Sequence, residues 1–212
     1  VELEHKYGVK VYPSLDESRV RDPAAKQLRT SNLAYRGRAA NAWQAGADGI
    51  AFFNYFNPNG KVWRECGNYE LLKTLDKDYF ASVRGKNNAA GGNLPYSSFQ
   101  QAETLNPHNP KKVAPGKSEI AQIHFGEKWK EDNPVHLEMR LQFNNLKSPD
   151  QIKITINGES VTDIQQAGKW IICTPPRWKC FEGLNSVRVA LNKTETDKLV
   201  WTDLMLTVRH SN

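Results

Sequence analysis

The chain has 212 residues, a mass of 24.0 kDa and a formal charge of +6 at pH 7. Hydrophobic residues make up 39% of it and charged residues 25%, which excludes a largely disordered chain. The longest apolar run, over residues 50–53, is too short to cross a bilayer, so we predict no membrane-spanning helix.

The first predicted elements alternate between helix and strand. Residues 1–7 resemble the last turns of a helix, and residues 9–12 form a short predicted strand. Small and apolar residues at three- and four-residue steps predict a helix over residues 32–45. The continuous apolar run within residues 48–56 is typical of a strand buried on both faces. A further helix is predicted from Glu70.

This order of elements predicts a parallel sheet. Strand, helix and strand form a βαβ unit, and the order βαβα is typical of a (β/α) barrel or a doubly wound sheet. An eight-unit barrel needs about 200 residues or more, whereas only residues 1–85 show this pattern. We therefore expect either the end of a truncated barrel or a sheet that a partner chain completes. Because position 1 is Val1 and not methionine, we expect that an upstream segment has been removed by processing or truncation.

The pattern changes to alternating strands after a Gly/Asn-rich seam. We divide the chain into residues 1–85, a linker and loop-rich segment over 86–117, and a β-sandwich over 118–212. Apolar residues alternate with polar ones over residues 135–143, and Asn157-Gly158 predicts a type I′ hairpin. Further predicted strands cover residues 120–125, 152–156, 161–164, 170–173, 187–191 and 204–208. Seven or so short strands separated by turns predict an antiparallel sandwich. The predicted fold class is therefore α/β plus all-β.

Two stretches of sequence resemble known families. Residues 35–54, YRGRAANAWQAGADGIAFFN, resemble the last helix and last strand of bacterial glycoside-hydrolase-like TIM barrels, in which GADGI leads into strand eight. Residues 10–16 would then be strand seven, and the resemblance covers residues 1–85. The second part is similar to the galactose-binding-like jelly rolls that follow many such barrels. The segments that carry this similarity are ITING at 154–158, GLNSVRV at 183–189 and LTVR at 206–209.

The resemblance implies which carboxylates to consider. Retaining glycosidases use two carboxylates about 5 Å apart, and in this clan of barrels they follow strands four and seven. The resemblance therefore implies that Asp16 or Glu17 is the nucleophile, whereas the second carboxylate would lie upstream, so this chain alone lacks a complete catalytic site. The alternative is that both are solvated loop charges or a cap. For Arg36 and Arg38, a solvated helix face is favoured over contact with an anionic substrate.

The loop after the second strand carries candidate sugar-binding residues. Asn54, Tyr55 and Asn57 can hydrogen-bond to sugar hydroxyls, and Phe56 or Trp63 can stack on a pyranose ring. The alternatives are a satisfied buried amide and ordinary aromatic packing.

The sandwich offers Trp129 and Trp178, which lie in predicted loops with charged neighbours and can bind a glycan. We therefore keep two hypotheses. The first is the C-terminal portion of a glycoside hydrolase acting on a polysaccharide or oligosaccharide, secreted, periplasmic or in the cell envelope. The second is a non-catalytic carbohydrate-binding or scaffold protein.

Other classes of site and partner have little support. The basic residues are interspersed with acidic ones, so nucleic-acid binding ranks last. Cys66, Cys173, Cys180 and the five dispersed histidines show no metal-ligand spacing, so we expect no metal and no cofactor. Cys173 and Cys180 can pair across a loop in an oxidising compartment.

Overall fold

The computed structural model describes residues 1–84, 103–128 and 135–210. The helices there are α1 (Glu2–Lys6), α2 (Pro23–Arg29), α3 (Asn32–Gln44), α4 (Val62–Gly67) and α5 (Tyr69–Leu72). The strands are β1 (Ser14–Leu15), β2 (Ala51–Phe52), β3 (Lys77–Phe80), β4 (Lys111–Val113), β5 (Ser118–Phe125), β6 (Val135–Phe143), β7 (Ile152–Ile156), β8 (Glu159–Ser160), β9 (Ile164–Ala167), β10 (Trp170–Cys173), β11 (Gly183–Leu191) and β12 (Leu199–His210).

Two antiparallel sheets form a β-sandwich, which confirms that part of the predicted fold class. The larger sheet has the order β3-β12-β6-β10-β9, with β4 also paired to β12, and the smaller has the order β5-β11-β7-β8. Alternate residues of β6, such as Leu137, Met139 and Leu141, are buried in the core between the sheets. Asn157 and Gly158 have φ angles of 47° and 86° and join β7 to β8, as the hairpin signal predicted.

The N-terminal segment contains one parallel strand pair. Ser14 of β1 lies opposite Ala51 of β2, and α2 and α3 connect the two strands. The strand predicted over residues 9–12 is displaced to β1, and the apolar run over residues 48–56 contributes only two strand residues. In the described part of the chain, each strand of this pair has the other as its sole partner.

The expectation that the apolar run is buried on both faces is wrong. The side chains of Phe53 and Phe56 are 55% and 86% exposed. A parallel strand is buried on both faces only where further strands and helices flank it, and among the described residues β1 is the sole strand that pairs with β2.

The larger sandwich sheet includes two strands from segments that the sequence analysis placed outside the sandwich. β3 lies within the predicted 1–85 segment and β4 within the predicted linker over 86–117, yet both pair with β12. The physical reason is the length of β12, whose 12 residues accommodate two short strands end to end along one edge. One hydrophobic cluster then extends from Leu15 through α3 to Val208.

Close backbone approach joins α3 to the sandwich. A Cβ atom at Gly37 would overlap the carbonyl oxygen of Asp78 in β3, and one at Gly126 would overlap the backbone of Ala40 in α3. Glycine at both positions therefore allows the helix backbone to contact the sheet directly.

Replacing Gly37 by alanine is expected to lower the free energy of unfolding by about 1–3 kcal/mol, because the helix must move away from β3. Gly67→Ala is the matched control, since Gly67 has no atom near its added Cβ. Urea denaturation measures both. Equal stability of the two variants would contradict the close packing of α3.

Candidate functional site

The predicted site residues after β1 and β2 lie at one edge of the parallel pair. Asp16 and Glu17 directly follow β1, and Asn54 comes two residues after β2. The amide of Phe53 donates to the carbonyl oxygen of Leu15 at 3.1 Å, which holds the two strand ends side by side. Ends of parallel strands are where barrel and open-sheet enzymes place their sites. We call these residues, together with Tyr55, Asn57 and Trp63, the edge cluster.

Both carboxylates of the edge cluster have local partners. The side chain of Asp16 accepts a hydrogen bond from the Glu17 amide at 2.8 Å and another from Arg19 Nη2 at 3.1 Å. The carboxylate of Glu17 is half exposed and lies 3.6 Å from Lys26 Nζ. Asp16 therefore has a fixed position, whereas Glu17 takes part in a surface ion pair that contributes little stability.

Arg38 supports the loop that carries Asp16. Its Nη1 donates to the backbone carbonyl of Asp16, and its guanidinium carbon lies 4.4 Å from the centre of the Tyr35 ring. Burial lowers the pKa of Arg38.

Arg36 also points inward, with two 2.9 Å hydrogen bonds to Glu65. The preferred sequence interpretation, a solvated face for both arginines, is therefore wrong. The small residues Gly37, Ala39 and Ala40 around them were the only signal in the sequence that this face packs closely.

An aromatic group anchors the other half of the edge cluster. The ring centre of Tyr55 lies 5.4 Å from that of Tyr35, 5.5 Å from that of Phe52 and 5.3 Å from that of Trp63. The contacts with Tyr35 and Trp63 are edge-to-face and that with Phe52 is tilted, and such contacts stabilise a fixed arrangement of rings. Burial raises the pKa of the Tyr55 phenol, so it stays protonated and can donate a hydrogen bond.

The polar residues beside these rings are accessible. Asn54 is exposed and has a left-handed backbone with φ of 57°, so the alternative of a buried amide is wrong. Trp63 Nε1 donates to the Asn57 carbonyl at 2.7 Å, which fixes the indole while 41% of the side chain remains exposed. The structure thus brings Tyr55, Asn57 and Trp63 together.

Trp178, one of the two tryptophans predicted as glycan-binding residues of the sandwich, does not belong to the edge cluster. Trp178 lies in a short 3-10 helix over Arg177–Lys179, is 66% exposed and has the Lys179 ammonium 4.9 Å from its ring centre. Trp129 lies outside the described residues.

The three cysteines are free and buried, so the possible Cys173–Cys180 pairing is not formed. Burial raises the pKa of Cys66, Cys173 and Cys180 to about 12. Across residues 1–84, 103–128 and 135–210, there is no group of three or more potential metal-ligating side chains, and no helix is long and apolar enough to span a membrane.

Thiol reagents are expected to react at much less than one thiol per folded molecule over minutes, because the reactive thiolate is suppressed and inaccessible. After unfolding in guanidinium chloride, all three thiols should react. Absorbance of the released thiol product measures the count. Rapid reaction of one thiol in the folded protein would contradict the burial of the cysteines.

Comparison with known proteins gives only partial structural similarity. No family model and no curated protein matches the chain. Two solved structures that match are crystal structures of BuGH86 in complex with neoagarooctaose, one wild-type and one a Glu-to-Gln variant. Identity and TM-score are 16% and 0.39 for the wild type, and 17% and 0.38 for the variant. Each match covers 65% of this chain and 19% of the other. The chain therefore spans about a fifth of the length of these proteins and is similar to part of a glycoside hydrolase family 86 structure.

Proposed function

We propose that this chain is the C-terminal portion of a glycoside-hydrolase-like protein whose edge cluster contributes one side of a sugar-binding cleft. The observation that carries the proposal is the meeting of two strand ends, which places a fixed carboxylate of Asp16 on the same edge as Asn54. The exposed ring of Trp63 lies beside the second strand end and supplies an apolar surface of the kind on which a pyranose ring stacks.

In this proposal the N-terminal segment is part of a TIM barrel and the sandwich is a jelly-roll accessory domain. Among the described residues β1 and β2 pair with each other alone, and their outer edges, with the exposed Phe53 and Phe56, are the surface that further barrel strands or a second chain would cover. Asp16 or Glu17 supplies one carboxylate, and the other comes from that additional part. The whole protein acts in the cell envelope, the periplasm or outside the cell.

The binding half of the proposal can be tested on this chain. Isothermal titration with neoagarooctaose, cellohexaose and xylohexaose is expected to find one oligosaccharide that binds. Trp63→Ala should weaken that binding at least tenfold because the stacking surface is lost. Trp63→Phe, which keeps an aromatic ring against Phe52 and Tyr55, should retain more of it. Failure of all three sugars to bind would contradict the proposal.

The second candidate function is that of a non-catalytic carbohydrate-binding protein. Substitution of Trp178 distinguishes it from the first. Its exposed ring on the sandwich is the specific observation that favours this alternative. If Trp178→Ala abolishes sugar binding while Trp63→Ala leaves it unchanged, the sandwich is the binding module. The reverse result supports the edge cluster.

In this proposal catalysis requires a longer protein, so the intact mass of the protein from its native cell is the first quantity to measure. In that protein, replacing both Asp16 by asparagine and Glu17 by glutamine should reduce hydrolysis at least a thousandfold, the scale expected for loss of a nucleophile. Unchanged hydrolysis would remove both residues from the mechanism.

A further inference from the structure

The sequence contains two Asn-Gly pairs, Asn59-Gly60 and Asn157-Gly158. In such a pair the backbone nitrogen of the glycine can attack the side-chain amide carbon of the asparagine, because glycine has no Cβ atom that hinders the approach. The attack requires an asparagine side chain that can turn towards its own backbone. The two asparagines of this chain differ in that respect.

Asn59 lies at the surface, in a four-residue turn over residues 57–60 that leads from β2 to α4. The Gly60 amide closes this turn by donating to the Asn57 carbonyl at 3.1 Å. The backbone amide of Asn59 donates to Asn57 Oδ1 at 3.2 Å, but the Asn59 side chain has no hydrogen bond to another described residue. One exposed backbone bond therefore has to open before Gly60 can attack, and exposed turns open locally at little cost in free energy.

Asn157 precedes a glycine as well, but its side chain is held on both sides. Its Nδ2 donates to the Lys179 carbonyl at 2.7 Å and to Asn185 Oδ1 at 2.8 Å, and its Oδ1 accepts from the Ser186 amide at 2.9 Å. Asn185 is completely buried. Attack by Gly158 requires the Asn157 side chain to leave these partners, so the second pair is an internal control with the same dipeptide sequence.

Asn57 shares the exposed turn but cannot react in the same way. It precedes Pro58, whose nitrogen carries no hydrogen to lose. Its Oδ1 also accepts the hydrogen bond from the Asn59 amide. Conversion of an asparagine within this turn therefore identifies Asn59.

We propose that Asn59 is a site of spontaneous deamidation. The Gly60 nitrogen loses its proton and attacks Asn59 Cγ, so that an N–Cγ bond forms, the Cγ–Nδ2 bond breaks and ammonia leaves. Water then opens the cyclic imide at either of its two carbonyl carbons. Opening at Cγ gives aspartate on a normal main chain, whereas opening at the backbone carbonyl carbon gives isoaspartate, whose main chain runs through Cβ and Cγ. This reaction does not rest on the proposed binding of sugars.

The reaction alters the part of the edge cluster that holds Trp63. The Asn57 carbonyl accepts from both the Gly60 amide and Trp63 Nε1, and the Trp63 amide donates to the Gly60 carbonyl at 3.3 Å. The imide nitrogen carries no hydrogen, so the bond that closes the turn is lost when the ring forms. Isoaspartate lengthens the main chain just before Gly60, where an added Cβ would lie 2.2 Å from the Tyr55 hydroxyl oxygen. Isoaspartate in this tightly packed turn therefore releases the Trp63 indole.

The test of the modification is peptide mapping by mass spectrometry. The whole 212-residue chain is incubated for several days in mildly alkaline buffer, at a temperature well below its unfolding midpoint. Asn59 is expected to convert at least tenfold faster than Asn157 in the folded protein, whereas the two rates should become similar in guanidinium chloride. The rate at Asn59 should fall in mildly acidic buffer, because the Gly60 nitrogen must lose a proton.

Asn59→Gln should abolish conversion at this position, because its longer side chain cannot close the five-membered ring. Asn32→Gln, which changes an exposed asparagine at the start of α3, is the matched control and should leave conversion of Asn59 unchanged.

The effect on Trp63 is measured by nuclear magnetic resonance. Deamidation lowers the formal charge of +6 by one, so ion exchange separates the product, and enzymatic methylation identifies the isoaspartate fraction. The indole N–H signal of Trp63, assigned by its absence from Trp63→Phe, should exchange with solvent faster in that fraction. Asn59→Asp carries the same charge on a normal main chain and should keep the original exchange rate.

Three results would overturn the proposal. Equal conversion of Asn59 and Asn157 in the folded protein would show that the hydrogen bonds of Asn157 do not select the site. An absence of conversion at Asn59 would exclude the modification itself. An unchanged Trp63 signal in the isoaspartate fraction would show that the turn does not hold the indole.

Discussion

Replacing Arg29 by methionine is expected to lower the free energy of unfolding by about 3–5 kcal/mol. Arg29 is fully buried at the end of α2, and its two Nη atoms donate to the Asp203 carboxylate at 2.8 and 2.6 Å. Its Nε donates to the Ser82 carbonyl at 2.8 Å, and the guanidinium lies 4.5 Å from the Phe80 ring centre. The variant leaves the buried Asp203 carboxylate without its counter-charge and with the Leu204 amide, at 2.8 Å, as a remaining donor, which explains the size of the loss. Urea denaturation measures it.

The double variant of Arg29→Met with Asp203→Leu should recover a large part of that loss. A buried ion pair gains little net free energy, because desolvation offsets the attraction, so removing both charges costs less than removing one. Lys26→Met provides the control on the same helix, since the Lys26 ammonium lies at the surface, 3.6 Å from the carboxylate of Glu17. Its effect should stay below about 1 kcal/mol. A double variant as unstable as Arg29→Met alone would show that packing, and not charge, explains the loss.

Replacing Glu127 by leucine is expected to cost a similar 3–5 kcal/mol or so. Glu127 Oε1 lies 3.1 Å from Nζ of Lys77, which is fully buried, and accepts a 2.7 Å hydrogen bond from the Tyr79 hydroxyl. Burial lowers the pKa of Lys77, and Glu127 counteracts that effect. Without the carboxylate, the ammonium retains the Leu75 carbonyl at 2.6 Å as its described partner. Thermal and urea denaturation at pH 7 measure the loss.

The same carboxylate predicts how stability depends on pH. Burial alone would raise the pKa of Glu127, but nearby His210, the Lys77 charge and the Tyr79 hydroxyl together outweigh it and lower the pKa. His210 Nε2 is 3.7 Å from Glu127 Oε2, which is within ion-pair range but too long for a hydrogen bond. Because the folded pKa lies below the unfolded value of about 4.3, this stabilisation is complete above the unfolded pKa and is lost as the pH falls through the folded pKa.

Glu127→Gln should therefore remove part of the acid sensitivity that the wild-type protein shows below about pH 4.3. The measurement is the free energy of unfolding between neutral and acidic pH. Glu2→Gln, which changes an exposed residue of α1, is the control and should leave the pH profile unchanged. Identical acid profiles for Glu127→Gln and the wild type would contradict the assigned role of Glu127.

Local patterns were sufficient to predict many of the elements. The helix predicted over residues 32–45 is α3, and the Ser31 side chain caps it by accepting from the Ala34 amide. The alternation in β6 and the turn at Asn157-Gly158 predicted a half-buried strand and a hairpin, both of which are present. These features depend on side chains within a few residues of one another, so they can be predicted from a single sequence without knowledge of the tertiary structure.

Pairing between distant segments could not be predicted in this way. The residues of β3, Lys77–Phe80, have no alternation that assigns them to the edge of β12. For the candidate site, the order of elements predicted that Asp16 and Asn54 follow parallel strands, and the structure places those strand ends together. It did not predict that Trp63 packs against Tyr55 or that Arg38 supports Asp16.

The sequence by itself thus determined the antiparallel sandwich, the helix α3 and the parallel βαβ connection. Only the tertiary structure decided that one core joins α3 to the sandwich, and that Arg38 packs on the Tyr35 ring and donates to the Asp16 carbonyl. The physical reason is that periodicity and turn chemistry act over a few residues, whereas burial of an arginine and pairing of a short strand depend on segments distant in sequence. Arg29 and Asp203 illustrate this dependence. They lie 174 residues apart in the sequence, the largest separation among the buried ion pairs described.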